Sequence, residues 1–470
     1  MVVSFLLFLS LFVLVGLSSM LKSRRTKQDY YLASSAVPPS LVGLSAVATN
    51  NSGYMFIGVI GYTYTTGLAS IWLMIGWIAG DFLASGFVHS RLREATSRTG
   101  ETTFAGVLSH WYQGDGSRSV QRLIGLLSLV FLSAYASAQL VAGSKALHVL
   151  FGWPNWAGST LGAVLVVAYC YAGGIRASIW TDAAQSVVMI IAMGVMMVVA
   201  TQSLGGVSSA VEQMEQVEGF LDWFPQDLIV PGLGGGILFI VGWAFAGLSV
   251  IGQPHVMTRF MTLDDTGNMR RARAWYYSWF LLFYMMATAV GMLSRVYLTD
   301  PGNFDAELAL PTMAMELLPP VGVGLVLAGV FAATMSTADS LVLSCSSAVT
   351  HDLLPHQTEK TWLLKLSTGA ITFAALMWAL FNQQSVFSLV IMAWSGLASA
   401  FAPLLVCRCL GGRPGWITSS VSILTGLGVA LAWRWLGWHN AIYEGMPGIL
   451  AGGLVLGMAH LLTRGRNYNE

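Results

Sequence analysis

The chain has 470 residues, of which 55% are hydrophobic and only 10% are charged. Soluble domains carry roughly 25% charged residues, so this composition excludes an ordinary soluble protein and predicts an all-α polytopic membrane protein. A net charge of +1 gives no indication of a nucleic-acid partner. The four cysteines lie in or beside apolar segments, which predicts no disulfide framework.

Thirteen apolar segments approach the length of about 20 residues that a membrane-spanning helix needs. They are 2–20, 38–62, 68–90, 120–149, 155–172, 179–202, 233–254, 273–298, 320–349, 362–382, 385–407, 415–436 and 445–463. We interpret the first as a retained helix and not as a signal peptide, because it lacks a basic start and a clear cleavage site.

The basic residues between these segments predict the orientation. With the N-terminus outside, every Lys and Arg except Lys145, Arg295 and Arg434 falls on a cytoplasmic loop or helix end, and Arg259 is among the cytoplasmic ones. Such a bias is typical of cytoplasmic loops, and a missed helix would exchange the sides of all later loops. The pattern therefore predicts thirteen spans in the plasma (inner) membrane, with the N-terminus outside and the C-terminus in the cytoplasm.

Two of the apolar segments are interrupted near their middles. The second contains the polar, poorly helical run 49–53, TNNSG, and the seventh contains 247–254, GLSVIGQP. Each break frees backbone groups, which a membrane tolerates only where they are buried or line a cavity. The breaks lie five helices apart, as in transporters whose binding site lies between two repeats. Kinks in packed helices are the alternative, but the adjacent amides of Asn50 and Asn51 need partners in lipid.

The ninth segment carries an unusual polar stripe within 329–346, GVFAATMSTADSLVLSCS. Helical spacing places Ser336, Thr337 and Ser340 on one face together with Ala333. Asp339 adds an ionisable group at membrane depth, which indicates a functional site. Hydroxyls beside a carboxylate are hard oxygen ligands of the kind that suit Na⁺. Close helix packing and bonding to the preceding turn are the alternatives.

Six stretches of the chain together resemble the sodium:solute symporter family, and within it the sodium/proline symporters most closely. In family order they are QDYYLASSAVPP (28–39), LSAVATNNSG (44–53), YASAQLVAGSKALHVLFG (135–152), YAGGIRASIWTDAAQ (171–185), GQPHVMTRFMTLDD (252–265) and FAATMSTADSLVLSCSSAV (331–349). The resemblance implies a ten-helix inverted-repeat (LeuT-like) core with extra helices, about 13 in all. It implies a single transmembrane domain, 1–470, with an extra N-terminal helix at 2–20, repeats at 38–202 and 233–407, and two C-terminal helices at 415–463.

The resemblance also implies a first Na⁺ site between the first and eighth core helices. Its expected ligands are the backbone oxygens of Ala48, Asn51 and Ala333 and the hydroxyls of Ser336 and Thr337.

A possible second Na⁺ site is implied at Asp182, Asp339 and Ser340. Asp339 stands where members with a well-defined second site have a hydroxyl. Two adjacent acids would bind a cation or share a proton, so a second Na⁺, a protonated Asp339 and an Asp339 paired with a base remain open. Asp182 also has a simpler interpretation, as a solvated acid at a helix end paired with Arg176.

The expected solute cavity is lined by the two breaks and the third core helix. Its candidate residues are Asn50, Ser52, Gly53, Tyr54, Tyr135, Gln139, Trp243, Ala246, Ser249, Gln253 and Pro254. With no Arg or Lys at mid-depth to clamp an anion, a small zwitterion or neutral solute fits better than a dianion. Asn50 replaces an Asp of the proline symporters, and Val250 stands where an aromatic is expected, so the pocket is altered.

The expected function is that of a sodium-coupled symporter, with Na⁺ as the cofactor, which takes up a small solute, an amino acid such as proline, by alternating access. A symporter for a sugar or an organic acid is one alternative. A transporter-like sensor that signals solute to a separate partner is another. An enzyme is not expected, since no His/Glu/Asp constellation with metal spacing occurs within a span.

Overall fold

The computed structural model describes residues 1–466 apart from 23, 25, 113–116, 227, 229, 299–303, 355–359, 382–384 and 441. The α-helices of this part of the chain are α1 Val2–Ser18, α2 Lys27–Leu32, α3 Pro39–Asn50, α4 Gly53–Phe56, α5 Gly58–Thr66, α6 Ile71–Thr99, α7 Phe104–Ser109, α8 Arg118–Phe151, α9 Asn155–Ser203, α10 Val207–Glu215, α11 Leu233–Leu248, α12 Pro254–Met261, α13 Met269–Tyr297, α14 Ala309–Leu317, α15 Pro320–Ser347, α16 Thr361–Phe381, α17 Val386–Cys409, α18 Trp416–Trp435 and α19 Gly445–Arg466. A π-helical turn, Ala348–Leu353, follows α15.

The prediction of an all-α polytopic membrane protein is confirmed. Ten helical stretches of the described chain are long and apolar enough to cross a membrane, and the shorter apolar helix α1 precedes them. Each of the thirteen predicted segments lies on a helix, although residue 382, the end of the tenth, is outside the described residues. The count of ten is lower for three reasons: α1 is too short to be included, the second and third segments share the stretch Gly53–Thr99, and only Gly173–Ser203 of α9 is counted.

The predicted fifth and sixth segments form one helix, α9, with a sharp kink. Gly173 and Gly174 leave the helical conformation there, and Gly174 has a left-handed φ of 57°. Only glycine adopts that region readily. A Cβ atom on Gly174 would lie 2.5 Å from the carbonyl oxygen of Tyr30. The kink therefore requires glycine both for its conformation and for the close approach of the segment before α3.

The first predicted break is present between α3 and α4. α3 ends at Asn50, and Asn51 and Ser52 leave the helical conformation, with φ/ψ of −93°/31° and −22°/−175°. The Ser52 hydroxyl accepts the N–H of Tyr54 at 3.1 Å and so caps α4. This short cap lets the chain resume a helix in the same direction after only two irregular residues.

The second predicted break is present between α11 and α12. A 3₁₀ turn, Ser249–Gly252, ends α11, and Gln253 is extended. Pro254 then begins α12, at a position where its missing N–H removes no helical hydrogen bond. A Cβ atom on Gly252 would lie 2.6 Å from the Cα of Ala398, so this break packs directly against α17.

Helix α15 runs through the centre of the bundle. Every residue from Val326 to Leu343 is buried, so its polar side chains face protein and not lipid. The first break approaches it closely, since a Cβ atom on Gly53 would lie 2.5 Å from Cγ2 of Thr334. Small residues at such contacts let two backbones come together in a membrane.

A buried ion pair fixes the segment that leads into α3. The Arg176 guanidinium donates to Asp29 Oδ1 at 2.5 Å and to the carbonyl of Ala33 at 2.9 Å. Burial alone would raise the pKa of Asp29, but the hydrogen bonds from Arg176 and its neighbours outweigh this and lower it. Arg176 thus pairs with Asp29 and not, as one interpretation of the sequence had it, with Asp182.

The substitution Gly174→Ala should lower the thermal unfolding temperature of the purified chain. A left-handed non-glycine residue costs about 1–2 kcal/mol, and the contact with Tyr30 adds to that cost. The matched control is Gly194→Ala in the same helix, where the new Cβ would meet only Met286 Sδ at 3.6 Å. The control should be neutral or slightly stabilising, because alanine favours a helix interior. Equal unfolding temperatures for the two variants would contradict the proposed origin of the kink.

Candidate functional site

Hydroxyls of α15 bind carbonyls at the end of α3. The Ser336 hydroxyl donates to the carbonyl of Ala48 at 3.2 Å and to that of Ala333 at 3.0 Å. The Thr337 hydroxyl donates to the carbonyl of Thr49 at 2.9 Å. The last carbonyls of a helix have no partner within it, and lipid offers none. The polar stripe of α15 therefore satisfies the backbone groups that the first break releases.

This geometry brings together part of the predicted first Na⁺ site. Ala48, Ala333 and Ser336 converge, whereas Thr337 contacts the neighbouring carbonyl of Thr49. Asn51 directs its backbone and side-chain N–H groups to the carbonyl of Val47, at 2.9 and 3.0 Å. Neutral carbonyl and hydroxyl oxygens suit weak binding of a monovalent cation. Na⁺ would compete with the Ser336 proton for the same carbonyls, so binding requires that hydroxyl to rotate.

The carbonyl of Thr49 is a further candidate ligand that the sequence analysis did not name. Its partner hydroxyl lies on α15 one residue beyond Ser336, within the same stripe. A carbonyl carries no signal in the amino-acid sequence, since every residue has one.

The predicted second Na⁺ site holds an arginine. Asp182 on α9 and Asp339 on α15 lie 3.3 Å and 3.9 Å from the Arg259 guanidinium, and all three side chains are buried. The same guanidinium donates to the hydroxyls of Ser178, at 2.5 Å, and Ser340. Asp182 and Asp339 were therefore rightly expected to approach each other, but with a cationic side chain between them.

Hydroxyls complete this cluster. Ser45 of α3 donates to Asp182 at 2.6 Å. Ser178 and Ser340 donate to Asp339 at 2.9 and 3.1 Å. Each carboxylate is thus hydrogen-bonded as well as close to the guanidinium, which is the arrangement that makes buried charge tolerable.

Two expectations about this region are wrong. Arg259 was placed on a cytoplasmic loop, yet only 1% of its side chain is exposed, because α12 directs it into the bundle towards α9 and α15. Asp182 was given an alternative role as a solvated helix-end acid, and it is fully buried. The GQPH…RFM motif contains Arg259, so the signal was present in the sequence but was interpreted as a loop.

The first break is joined to α8 by two hydrogen bonds. The N–H of Gly53 donates to the side-chain oxygen of Gln139 at 2.9 Å, and the Tyr135 hydroxyl donates to that of Ser52 at 3.0 Å. Four predicted solute residues therefore meet directly. Because α8 binds Ser52 in the break and Gly53 at the start of α4, a change in the backbone at the break alters its contacts with α8.

The second break is joined to α17. The side-chain amide of Gln253 donates to the carbonyls of Trp394 and Ser249, at 2.9 and 3.1 Å. The indole N–H of Trp394 donates to the carbonyl of Ala246 at 3.3 Å. Three predicted solute residues thus lie together with Trp394, which the sequence analysis missed.

The two breaks meet at the ring of Tyr135. His255 of α12 lies 5.5 Å and Trp394 of α17 lies 6.2 Å from this ring, both edge-on. His255 was also missed, although it directly follows Gln253 and Pro254 in the GQPH motif.

Several polar atoms around Tyr135 lack a hydrogen-bond partner among the described residues. They are Nε2 of Gln139, Oε1 of Gln253 and both ring nitrogens of His255, and all three side chains are completely buried. An unpaired buried polar group costs about 1–3 kcal/mol, so native proteins have few of them. Other buried atoms, such as those of Asp81 and His89, also lack a partner, but these four lie where both breaks meet and are therefore candidate contacts for a small polar ligand.

Other predicted solute residues have their contacts elsewhere. Asn50 donates to the Tyr276 hydroxyl at 2.5 Å and so faces α13. The Tyr54 ring stacks on Phe387, at 5.3 Å, above the break. Trp243 lies on α11 before the second break, with its ring 5.9 Å from that of Tyr62.

The chain matches known transporters along most of its length. The model of the Sodium:solute symporter family matches residues 30–410. The Sodium/proline symporter of Escherichia coli (strain K12) is 28% identical, over 99% of this chain and 93% of that protein. The High-affinity proline transporter PutP of Bacillus subtilis (strain 168) is 27% identical, over 93% of each protein.

A solved structure shares the fold. A Na⁺-coupled sialic acid symporter, in a substrate-bound outward-open state, superposes with a TM-score of 0.81 at 19% identity, over 97% of both chains. This likeness confirms the predicted ten-helix inverted-repeat (LeuT-like) fold class. Because the family match covers more than three quarters of the sequence, the chain belongs to the sodium:solute symporter family.

Proposed function

We propose that the chain couples inward Na⁺ movement to the uptake of a small zwitterionic amino acid such as proline, by alternating access. The observation that carries the proposal is the set of unpaired polar atoms on Gln139, Gln253 and His255 around Tyr135. The two amides and the imidazole offer donors and acceptors without a fixed charge from Arg, Lys, Asp or Glu. They therefore favour a solute whose own charges cancel.

The bacterial relatives support proline within this class of solutes, since both named above are proline transporters. Neither departure from proline symporters removes one of the unpaired atoms on Gln139, Gln253 and His255. The Asn50 amide donates to Tyr276 on α13 while its Oδ1 has no partner among the described residues, and Trp394 brings an aromatic ring to the second break. Proline is thus the first solute to test.

Ion and solute act on the same break. Na⁺ bound by Ala48, Ala333 and Ser336 would hold α3 against α15, while solute bound at Gln139 would hold the next residues, Ser52 and Gly53, against α8. A ligand shifts a conformational equilibrium only through different affinities for the two states. Since both ligands bind across the break, each stabilises the conformation that the other ligand requires. Binding of Na⁺ and binding of solute are coupled in this way.

We assign to Arg259 the place that a second Na⁺ would take. Its guanidinium already lies between Asp182 and Asp339. A further cation would need to displace it or to bind beside it, at a high cost in desolvation. One Na⁺ per solute follows from this assignment.

We also propose that the chain lies in the plasma (inner) membrane with its N-terminus outside. Its two repeats are then 38–202 and 233–407. The three basic residues that depart from the charge bias have local partners. Lys145 binds Asp305 and Glu307 at 2.9 and 2.6 Å, Arg434 binds Glu444 at 2.6 Å, and Arg295 lies over the ring of Tyr64. Their positions are thus explained by contacts and do not argue against the orientation.

Reconstituted into liposomes, the purified chain should accumulate labelled L-proline when Na⁺ is present outside, and not when K⁺ replaces it. One charge crossing 100 mV contributes ~2.3 kcal/mol, so the potential alone supports roughly 50-fold accumulation per Na⁺. The measurement is uptake under an imposed potential, with and without a Na⁺ ionophore.

D-glucose and acetate, tested in parallel, represent the alternative solute classes. Na⁺-stimulated uptake of either one, with no amino acid transported, would contradict the proposed solute. Na⁺-dependent binding of proline without any uptake would instead favour the sensor.

Replacing Ser336 and Thr337 together by alanine should raise the Na⁺ concentration for half-maximal uptake by about 10- to 100-fold. Loss of hydrogen-bonding oxygens to a charged partner costs about 1.5–3 kcal/mol. The control is Ser344→Ala, a half-buried serine of the same helix that lies outside the site. Unchanged Na⁺ dependence in the double variant would remove α15 from the ion site.

Parallel fluxes of ²²Na⁺ and labelled proline should give one Na⁺ per solute.

Arg259→Gln should abolish uptake, because two buried carboxylates then lack their cation. Adding Asp339→Asn to that variant removes one of the charges and should restore part of the uptake. A flux ratio of two in the wild-type chain would contradict the role of Arg259, and so would full uptake by Arg259→Gln.

A further inference from the structure

A carboxyl group that belongs to neither the ion site nor the solute site is buried in α6. Asp81 is 0% exposed, and it lies within the apolar stretch Gly53–Thr99. Neither of its carboxyl oxygens has a well-formed hydrogen bond within the described residues. A bare carboxylate is very costly to bury at membrane depth. Asp81 therefore needs either a close cation or a proton.

Helix α13 brings one cation near Asp81, but this cation is bound elsewhere. The Arg273 guanidinium donates to the Ser85 hydroxyl at 3.1 Å and to the carbonyl of Phe82 at 3.0 Å. It acts on Asp81 electrostatically without a hydrogen bond to it, and the other polar neighbours on α13 are two tyrosine hydroxyls. A Na⁺ needs several oxygen ligands to replace its water shell, so these neighbours do not form a Na⁺ site. A proton fits the carboxyl better.

The other helices packed against α6 bring no charge to Asp81. Helix α11 contains no titratable residue, and it packs so closely that a Cβ atom on Gly80 would lie 1.9 Å from a backbone oxygen. The titratable side chains of α12, His255 and Arg259, face the solute residues and the acidic pair. The charged residue of α17, Arg408, lies at the end of that helix.

One phenol connects Asp81 to the first break. The Tyr276 hydroxyl accepts the amide N–H of Asn50 at 2.5 Å and keeps its own proton for the carboxyl beside it. The other phenol, Tyr277, lies 2.6 Å from the Ser85 hydroxyl. A hydroxyl that donates to a carboxylate becomes a better acceptor, so the charge on Asp81 changes the strength of the bond to Asn50. The residue on which α3 ends therefore responds to the proton on Asp81.

A buried polar stripe leads from Asp81 to the end of α6 that we propose faces the cytoplasm. Ser85, His89 and Arg93 follow Asp81 at intervals of four residues, about 6 Å apart along the helix, and all are buried. Neither ring nitrogen of His89 has a hydrogen-bond partner among the described residues. Arg93 ends the stripe by donating to the carbonyl of Leu263, in the loop before α13. One water molecule bridges a gap of this size, and an imidazole passes a proton from one ring nitrogen to the other side.

We propose that Asp81 is a proton-binding site that exchanges its proton with the cytoplasm along this stripe. On release, the proton passes through water to one ring nitrogen of His89, and the other nitrogen gives up a proton towards the cytoplasm. Asp81 is left as a carboxylate, to which Tyr276 donates its hydroxyl.

The protonation of Asp81 is linked to conformation. The buried arrangement described above requires a neutral Asp81, whereas the carboxylate requires water, which enters when the cytoplasmic ends of α6 and α13 separate. A ligand favours the state that binds it more tightly, and the proton binds the buried state more tightly. Cytoplasmic pH therefore shifts the chain between the buried arrangement and one that is open to the cytoplasm.

Infrared spectroscopy of the full chain, in a detergent without ester groups, tests the proton directly. At neutral pH the wild-type chain should show a C=O band of a protonated carboxyl that Asp81→Asn lacks. Glu94→Gln changes an exposed acid of the same helix and should keep the band. After transfer to D₂O, His89→Phe should slow the isotope shift of this band by about tenfold or more, because phenylalanine can stack on Phe260 but carries no proton. An unchanged band in Asp81→Asn would overturn the site, and unchanged exchange in His89→Phe would overturn the route.

Thermal unfolding gives a second measurement that also reports whether the variant folds. The folded wild-type chain holds a proton on Asp81 that the unfolded chain releases, so raising the pH should destabilise it relative to Asp81→Asn. The ratio of folded to unfolded chain should fall by about tenfold more per pH unit in the wild type. Parallel pH dependence of the two unfolding temperatures would contradict a proton on Asp81.

The effect on transport, which rests on the proposed function, is measured in proteoliposomes at fixed external pH and fixed potential. Proline uptake by the wild-type chain should rise with internal pH, because loss of the proton from Asp81 favours opening to the cytoplasm. Asp81→Asn should lose this dependence, and Glu94→Gln should keep it. Equal dependence in Asp81→Asn and the wild type would overturn control by the proton. Failure of the wild type to show any Na⁺-stimulated uptake would count against the proposed function alone, since the infrared band does not require transport.

Discussion

Backbone carbonyls that lose their helical partners at the first break are the constraint on which the centre of this protein depends. Lipid cannot satisfy them, so a neighbouring helix must. Helix α15 does so with Ser336 and Thr337, which is why a helix that is buried from Val326 to Leu343 is also rich in hydroxyls. When such a hydroxyl rotates its proton away, its oxygen and the freed carbonyl could together bind a monovalent cation. The atoms that satisfy the fold at the first break are therefore the same atoms that we propose bind Na⁺.

The charged cluster extends this arrangement to the second break. Ser340 accepts from Arg259 of α12, and its hydroxyl lies 3.1 Å from that of Thr49 on α3. At the far side of the cluster Ser45, again on α3, binds Asp182. One continuous network of side chains thus connects the half-helix before the first break with the half-helix after the second. A rearrangement of either half-helix changes how well these buried charges are paired.

Much of the fold and part of the site could be predicted from the sequence. Apolar length located the spans, and polar or glycine-rich runs at mid-depth located both breaks, because each leaves a clear signature in residue type. The spacing of Ser336, Thr337 and Ser340 placed them on one helical face. Arg259 could not be placed in this way. An arginine a few residues beyond an apolar segment looks like a cytoplasmic charge, and only the turn at Gln253 and Pro254 directs it back into the bundle.

The altered solute pocket shows why single positions are poor guides to specificity. Val250 stands where proline symporters are expected to have an aromatic, yet aromatic side chains surround this break in space. Trp394 of α17 donates to Ala246, and Tyr443, between α18 and α19, donates to Ser249. Residues far apart in the sequence thus bring aromatic side chains to this break. Because Tyr443 lies between α18 and α19, the C-terminal part of the chain reaches the second break. We therefore expect selectivity in this chain to depend on α17 and the C-terminal helices as well as on the two broken helices.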